Sequence, residues 1–188
     1  SSDYVYNGEN SPYLETDHTF PINYYGKTKL EAENILRGSN RNYLILRPNV
    51  IYGENLYNKG NFFAWIYNQL NNNNNIKVVS DQISNPTYID DMVEIILQGI
   101  LMNYYGILNV GGEDSLSRYD FAIEVAKTFN FNINLIKEIK TSYLYKNIKS
   151  YIAKRPLNNT LLIDKMQNEL NFSSSSTNYN LKKIKNKI

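Results

Sequence analysis

Tyr25 and Lys29 stand in the order Tyr-x-x-x-Lys. On a helix that spacing places both side chains on one face, one turn apart. A phenol beside an ammonium is a proton donor with its tuner, because the positive charge favours the phenolate. The pattern alone is weak. Tyr145/Lys149 and Tyr179/Lys183 repeat it in a chain with 17 Tyr, and on spacing alone an amphipathic helix with a solvated lysine prevails.

Few other chemistries are open. The absence of Cys excludes a disulfide framework, a thiolate zinc site and a cysteine nucleophile. The single His, His18, lies in a polar stretch without Cys, Asp or Glu at ligand spacing and reads as solvated, so no metal is expected. Asp90 and Asp91 open an expected helix and read as partners of its dipole rather than cation ligands. Twenty Lys and Arg against 18 Asp and Glu leave a net charge of +2, which makes no case for a polyanionic partner. Lys182, Lys183, Lys185 and Lys187 read as a solvated helix face. Nucleic acid is therefore not expected.

The longest apolar stretch, Val93 to Met102, is broken by Gln98 and Gly99 and falls short of the roughly 20 residues that span a bilayer. Ser1-Ser2-Asp3 carries no basic residues and no apolar targeting core. No membrane association and a cytoplasmic setting are the expectations. With 42% hydrophobic and 13% aromatic residues, the 188-residue chain is rich enough to build a core.

The elements that must position Tyr25 and Lys29 follow from pattern. Asn23 caps a helix that Gly38 stops. Tyr43 to Leu46 is a short strand ended by Arg47-Pro48, and Arg47 reads as buried and paired. Asn61 to Leu70 is helical, its aromatics including Trp65 reading as core. Asn71 to Asn75 is a loop, and Ile76 to Val79 a strand. A helix from Tyr88 to about Asn103, a strand from Gly106 to Val110 closed by Gly111-Gly112, and a helix from Ser117 to Phe129 follow. Beyond these the pattern weakens to a strand at Leu135 to Ile139 and helices at Leu161 to Leu170 and Leu181 to Ile188. Tyr4-Val5-Tyr6 reads as the end of a strand, and Asn7 to Pro21 as a surface loop. Alternating helices and strands predict an α/β fold.

Three ordered motifs add context: Ser1-Ser2-Asp3-Tyr4-Val5-Tyr6-Asn7-Gly8, Pro21-Ile22-Asn23-Tyr24-Tyr25-Gly26-Lys27-Thr28-Lys29 and Leu46-Arg47-Pro48-Asn49-Val50-Ile51-Tyr52-Gly53. Together they resemble the catalytic half of an extended short-chain dehydrogenase/reductase. Asp81 to Thr87 with Asp90, Asn109-Val110-Gly111-Gly112 and Arg155-Pro156-Leu157-Asn158 resemble the branch typified by dTDP-4-dehydrorhamnose reductase. The resemblance runs from Ser1 to about Leu170.

The resemblance implies reduction of a 4-keto-6-deoxy sugar nucleotide with NADPH or NADH. Ser2 would hydrogen-bond the substrate carbonyl, Tyr25 would protonate the nascent alkoxide, and Lys29 would tune Tyr25 and hold the nicotinamide ribose. Asp3, Asn49, Val50 and Arg155 would contact substrate. A preorganised hydroxyl pair is what ketone reduction needs, since negative charge develops on oxygen.

Two departures qualify it. Family members begin with a strand, a Gly-rich turn and a helix whose N-terminus holds the pyrophosphate, and this sequence holds no such segment. The expectation is a fragment or truncated product, its sheet left with an unpaired apolar edge, that needs a cofactor-binding half or partner chain. A homodimer through the Tyr25 helix is a further expectation. At Val50 rhamnose-forming reductases usually carry a Trp. The Ser-Ser-Asp start and an aliphatic residue there also resemble the regulatory β subunit of methionine adenosyltransferase, a non-catalytic alternative.

The expected architecture is a partial Rossmann-type parallel sheet, lacking its N-terminal strands, with a smaller mixed α/β substrate-binding region. Residues 1–53 would form the catalytic part of the Rossmann-type domain and 54–87 a substrate-binding region. Residues 88–112 would return to the sheet, and 113–188 would add a second substrate-binding part and the C-terminal tail.

Overall fold

The computed structural model describes residues 1–57, 60–147 and 153–188. Lys149, and with it the Tyr145/Lys149 spacing, lies outside the described residues. The first helix, α1 (Tyr24–Arg37), starts where Asn23 accepts a bond from the Gly26 N–H at 2.8 Å. It stops at Gly38. The Asn23 amide also donates to the Lys154 carbonyl at 2.8 Å, tying the start of α1 to a distant segment.

Then come β1 (Leu44–Pro48), β2 (Ile51–Tyr52), α2 (Phe62–Asn71), β3 (Ile76–Val79), β4 (Ile83–Ser84) and β5 (Thr87–Tyr88). The chain continues through α3 (Ile89–Leu101), β6 (Gly106–Val110), β7 (Leu116–Ser117), α4 (Arg118–Phe129) and β8 (Ile136–Ile139). It ends with α5 (Thr141–Asn147), α6 (Asp164–Leu170) and α7 (Thr177–Lys185). Asn61 and Ser117 cap α2 and α4 through their side-chain oxygens.

β1 pairs with β6 in parallel, Leu44 opposite Gly106 through Pro48 opposite Val110. β2 with β5 and β3 with β8 are also parallel, while β4 and β7 run antiparallel. The expected α/β class is observed, since parallel pairs need the helical crossovers that the element order supplies. Among the described residues β1 carries no strand on its other edge. None of the described helices is long and apolar enough to cross a membrane.

Among the described residues, three apolar clusters hold the elements. The first packs Phe63, Ile66 and Leu70 of α2 against Phe121 and Val125 of α4, with Val78, Leu181 and Ile184. The second joins Ile95 of α3, Leu108 and Val110 of β6, and Met166 and Leu170 of α6. The third is Val5, Tyr6, Tyr13 and Leu161. Each such fully buried side chain contributes about 1.5–3 kcal/mol. Leu181 and Ile184 anchor α7, so the lysine-rich segment is a helix with one face in the core. Trp65 is 38% exposed and stacks on Phe62, whereas Phe63 is fully buried.

The structure corrects several expectations. Tyr4-Val5-Tyr6 is not a strand end: Asp3–Val5 forms a 3-10 turn, because Ser2 Oγ accepts from the Tyr4 N–H at 3.2 Å and competes with extended pairing. The apolar character of Val5 and Tyr6 serves the third cluster instead. The helix expected from Leu161 begins only at Asp164, since Leu161 is held extended in a bridge with Tyr13. The last helix starts at Thr177, capped by Ser176, rather than at Leu181. Asn71 ends α2, and Asn73 turns the chain at φ 56°.

Candidate active site

α1 approaches the 3-10 turn through a glycine. Gly26 packs against the Tyr4 carbonyl oxygen so closely that no Cβ fits between them. This contact brings Tyr25 beside Tyr4, their rings edge to face at 5.8 Å. Tyr25 is 51% exposed, and Lys29 Nζ lies 5.4 Å from its ring centroid. The sequence spacing thus becomes one face of one helix, as expected.

Ser2 and Asp3 line the same concavity as Tyr25. It has a volume of about 320 Å³ and is walled further by Tyr4, Asn49 and Val50. An adjoining concavity of about 360 Å³ shares Ser1 and Pro48 with it and carries Lys29, Leu36, Leu44 and Met92. The second runs along the side of β1 that no described strand covers.

The hydroxyl of Ser2 donates to Asp3 Oδ1 at 2.8 Å, so its proton is engaged inside the protein. Asp3 is 5% exposed. Burial pushes its carboxyl up to about 6, against hydrogen bonds from Asn159 and Ser2 that favour the charged form. The Asn159 amide spans Asp3, donating to its backbone oxygen at 2.9 Å and to Oδ2 at 3.0 Å. Burial likewise raises the Tyr4 phenol above its ordinary value.

Asn49 is buried, and its amide donates to Asn85 Oδ1 and to the Asn159 carbonyl, both at 2.8 Å. It forms wall while its donors are spent internally. Asn85 in turn bonds the Gly112 and Leu161 carbonyls, and Gly111 leaves the space its side chain occupies. Ser2, Asp3, Asn159, Asn49 and Asn85 therefore form one polar chain behind the concavity. Val50 lies at the surface of the concavity. Arg155 is exposed, does not line it, and acts electrostatically on the half-buried Tyr4.

Below this wall Glu33 and Arg47, each 1% exposed, form a bidentate pair at 2.9 and 2.7 Å. Arg47 also donates to the Tyr6 hydroxyl at 2.7 Å. Burial opposes ionisation of Glu33, but hydrogen bonds from Arg47 and Ser1 outweigh it and hold its carboxyl below the usual range. Glu33 lies one turn beyond Lys29, so the pair pins the helix that carries Tyr25 and Lys29.

Other candidates fall elsewhere. His18 is in a loop, and no group of acids and histidines able to hold a metal occurs among the described residues. Asp90 pairs with Lys187 at 2.9 Å, and Asp91 accepts from the Ser175 N–H at 3.4 Å. Asp81 accepts from the Thr141 N–H and hydroxyl, fixing α5. Sequence reasoning missed Gly26, Asn159 and Arg118. The last acts electrostatically on Tyr4 and Asp3, and its one signal was Ser117, which caps α4 immediately before it by accepting from the Asp120 N–H.

The profile of the RmlD substrate binding domain matches residues 1–188. A dTDP-4-dehydrorhamnose reductase of Aggregatibacter actinomycetemcomitans is 35% identical, over 98% of this chain and 64% of that protein. Methionine adenosyltransferase 2 subunit beta of Rattus norvegicus is 28% identical, over 89% of this chain and 50% of that protein. The crystal structure of a dTDP-4-dehydrorhamnose reductase from Bacillus anthracis in complex with NADP superposes with a TM-score of 0.88 at 26% identity. It covers 100% of this chain and 64% of the other. The chain thus spans less than two thirds of the length of these relatives, and its fold is that of Rossmann-type reductases.

Proposed function

The chain belongs to the RmlD substrate binding domain family, and on that premise we propose that it carries the catalytic and substrate-binding part of an NAD(P)H-dependent reductase of a 4-keto-6-deoxy sugar nucleotide. The observation that carries this reading is the meeting of Tyr25, with Lys29 at its ring, and Ser2 in one concavity.

The residues present fit a nicotinamide and its ribose. Two adjoining open concavities meet at Ser1 and Pro48, one presenting the Tyr25 phenol and the other the Lys29 ammonium. When bound, the reduced dinucleotide supplies the hydride to the carbonyl carbon. Tyr25 donates its proton to the carbonyl oxygen as that oxygen gains negative charge. Lys29 steadies the charge that the departing proton leaves on the phenol. Ser2 turns its hydroxyl from Asp3 to the same oxygen, and Asn159 keeps Asp3 and the 3-10 turn in place meanwhile. Asn49 acts as a positioning residue, Val50 as the floor under the sugar and Arg155 as an outer contact.

In this reading residues 1–53 and 88–112 form the catalytic face, while 54–87 and 113–188 receive the substrate. Polypeptide beyond these residues, covalently joined or on a partner chain, would hold the rest of the dinucleotide. A cytoplasmic setting and pairing of two copies through α1, where Ile35 and Leu36 are exposed, belong to the same reading. The likeness to the adenosyltransferase β subunit supports a second, regulatory reading, at lower identity and over less of the chain.

The test is titration of the chain with NADPH and NADH by fluorescence, alone and co-expressed with the N-terminal part of a homologous reductase. Tighter binding with the added part, and turnover of dTDP-4-dehydrorhamnose, is the expected result. Absence of both, with co-purification of an adenosyltransferase, would replace this reading with the regulatory one.

A further inference from the structure

Tyr25 is well placed by its backbone and loosely held by its side chain. Thr28 bonds its carbonyl at 2.8 Å, which fixes the helix and leaves the phenol free to turn. Among the described residues the half-exposed ring is met by one other ring, Tyr4, edge to face at 5.8 Å and 84°, and by one cation, Lys29. Lys29 belongs to the same helix and carries its charge on a flexible stem. It moves with α1 and cannot fix the ring against the rest of the protein. A phenol on a helix surface otherwise chooses among staggered rotamers.

Tyr4 is a fixed partner. Its neighbours in the 3-10 turn are both buried: Asp3 is tied by the Asn159 amide at 2.9 and 3.0 Å, and Val5 packs in the third cluster. Its N–H donates to Ser2 Oγ at 3.2 Å, and its carbonyl oxygen meets Gly26. The turn that carries Ser2 therefore also carries the ring against which Tyr25 leans. Burial raises the Tyr4 phenol above its ordinary value against the nearby charge of Arg155, so Tyr4 adds no negative charge that would oppose a phenolate at Tyr25.

Resting on the reductase reading above, we propose that Tyr4 is a positioning residue, whose ring, rather than its hydroxyl, holds the Tyr25 phenol in the orientation from which it protonates the substrate oxygen. An edge-to-face pair prefers one arrangement of its rings, and that preference selects one Tyr25 rotamer. A proton donor serves only within hydrogen-bond reach of the oxygen it protonates. A ring that strays from that geometry lowers the rate of the chemical step while the binding of the nucleotide is untouched.

The test is turnover of dTDP-4-dehydrorhamnose with NADPH by the chain joined to a dinucleotide-binding half, as wild type, Tyr4→Leu and Tyr4→Phe, with dTDP affinity measured on each by isothermal titration. Tyr4→Leu keeps the backbone contact at Gly26 and removes the ring. It should lower kcat about two- to twelve-fold, the span of an edge-to-face pair, with dTDP affinity unchanged, and Tyr4→Phe should recover most of that loss. Wild-type kcat in Tyr4→Leu would overturn the proposal. So would a loss in Tyr4→Phe as deep as that in Tyr4→Leu, which assigns the effect to the hydroxyl, or an equal fall in dTDP affinity, which marks general damage to the site. Nuclear Overhauser contacts between the Tyr4 and Tyr25 ring protons of the wild-type chain test the geometry without a variant; they are expected, and their absence would overturn the proposal. No turnover by the wild type, with the ring contacts present, would overturn the reductase reading and the positioning role with it.

Discussion

The backbone of Gly26 rests directly on the carbonyl oxygen of Tyr4, with no space for a side chain between them. This contact sets the distance between the helix bearing Tyr25 and Lys29 and the turn bearing Ser2 and Asp3. A methyl group there must push α1 away, because its neighbour is backbone and cannot rotate aside.

Gly26→Ala should therefore cost about 1–3 kcal/mol, typical of overpacking, and lower the thermal midpoint by about 2–12 °C. Scanning calorimetry of the two proteins reads this, and an unchanged midpoint would mean that the contact does not constrain α1.

The Glu33–Arg47 pair should behave as a unit. Arg47→Met alone leaves a buried carboxylate without its partner and should cost about 3–5 kcal/mol. Adding Glu33→Leu should recover much of that loss. Urea unfolding of the two single variants and the double variant measures the coupling, and additive losses would contradict it.

Asp3 gives the pH dependence a sign. With its folded pKa near 6 above an unfolded value of about 3.9, the folded state holds the proton more tightly. Stability from this group is full below about pH 4 and is lost as pH rises through 6, levelling at a cost of about 3 kcal/mol. Asp3→Asn should flatten this component and raise the midpoint at neutral pH. Parallel stability curves for the two proteins would show that Asp3 does not titrate in this way.

What the chain reveals of itself depends on the range of the interactions. Asn23, Asn61 and Ser117 announce α1, α2 and α4 because capping is local, and Ile76 to Val79 announces β3 by its side chains. β2, β4, β5 and β7 are two residues long and carry no period. Their partners are set by distant packing. In the site, the Tyr25/Lys29 face is legible because one helix makes it. The link from Asn49 to the Asn159 carbonyl joins positions 110 residues apart, and although Asn49 stands in a legible motif, nothing local marks Asn159. Arg118 reads as an ordinary helix-start residue until Phe62 and Gln82 are seen around it.

The central claim is that Tyr25 gives the proton in ketone reduction. The most direct measurement is turnover of dTDP-4-dehydrorhamnose with NADPH by the chain joined to a dinucleotide-binding half, as wild type and Tyr25→Phe, with dTDP affinity followed in parallel. The account predicts that Tyr25→Phe lowers kcat by about 10²–10⁴-fold and leaves dTDP binding unchanged. Turnover by Tyr25→Phe at the wild-type rate would contradict it.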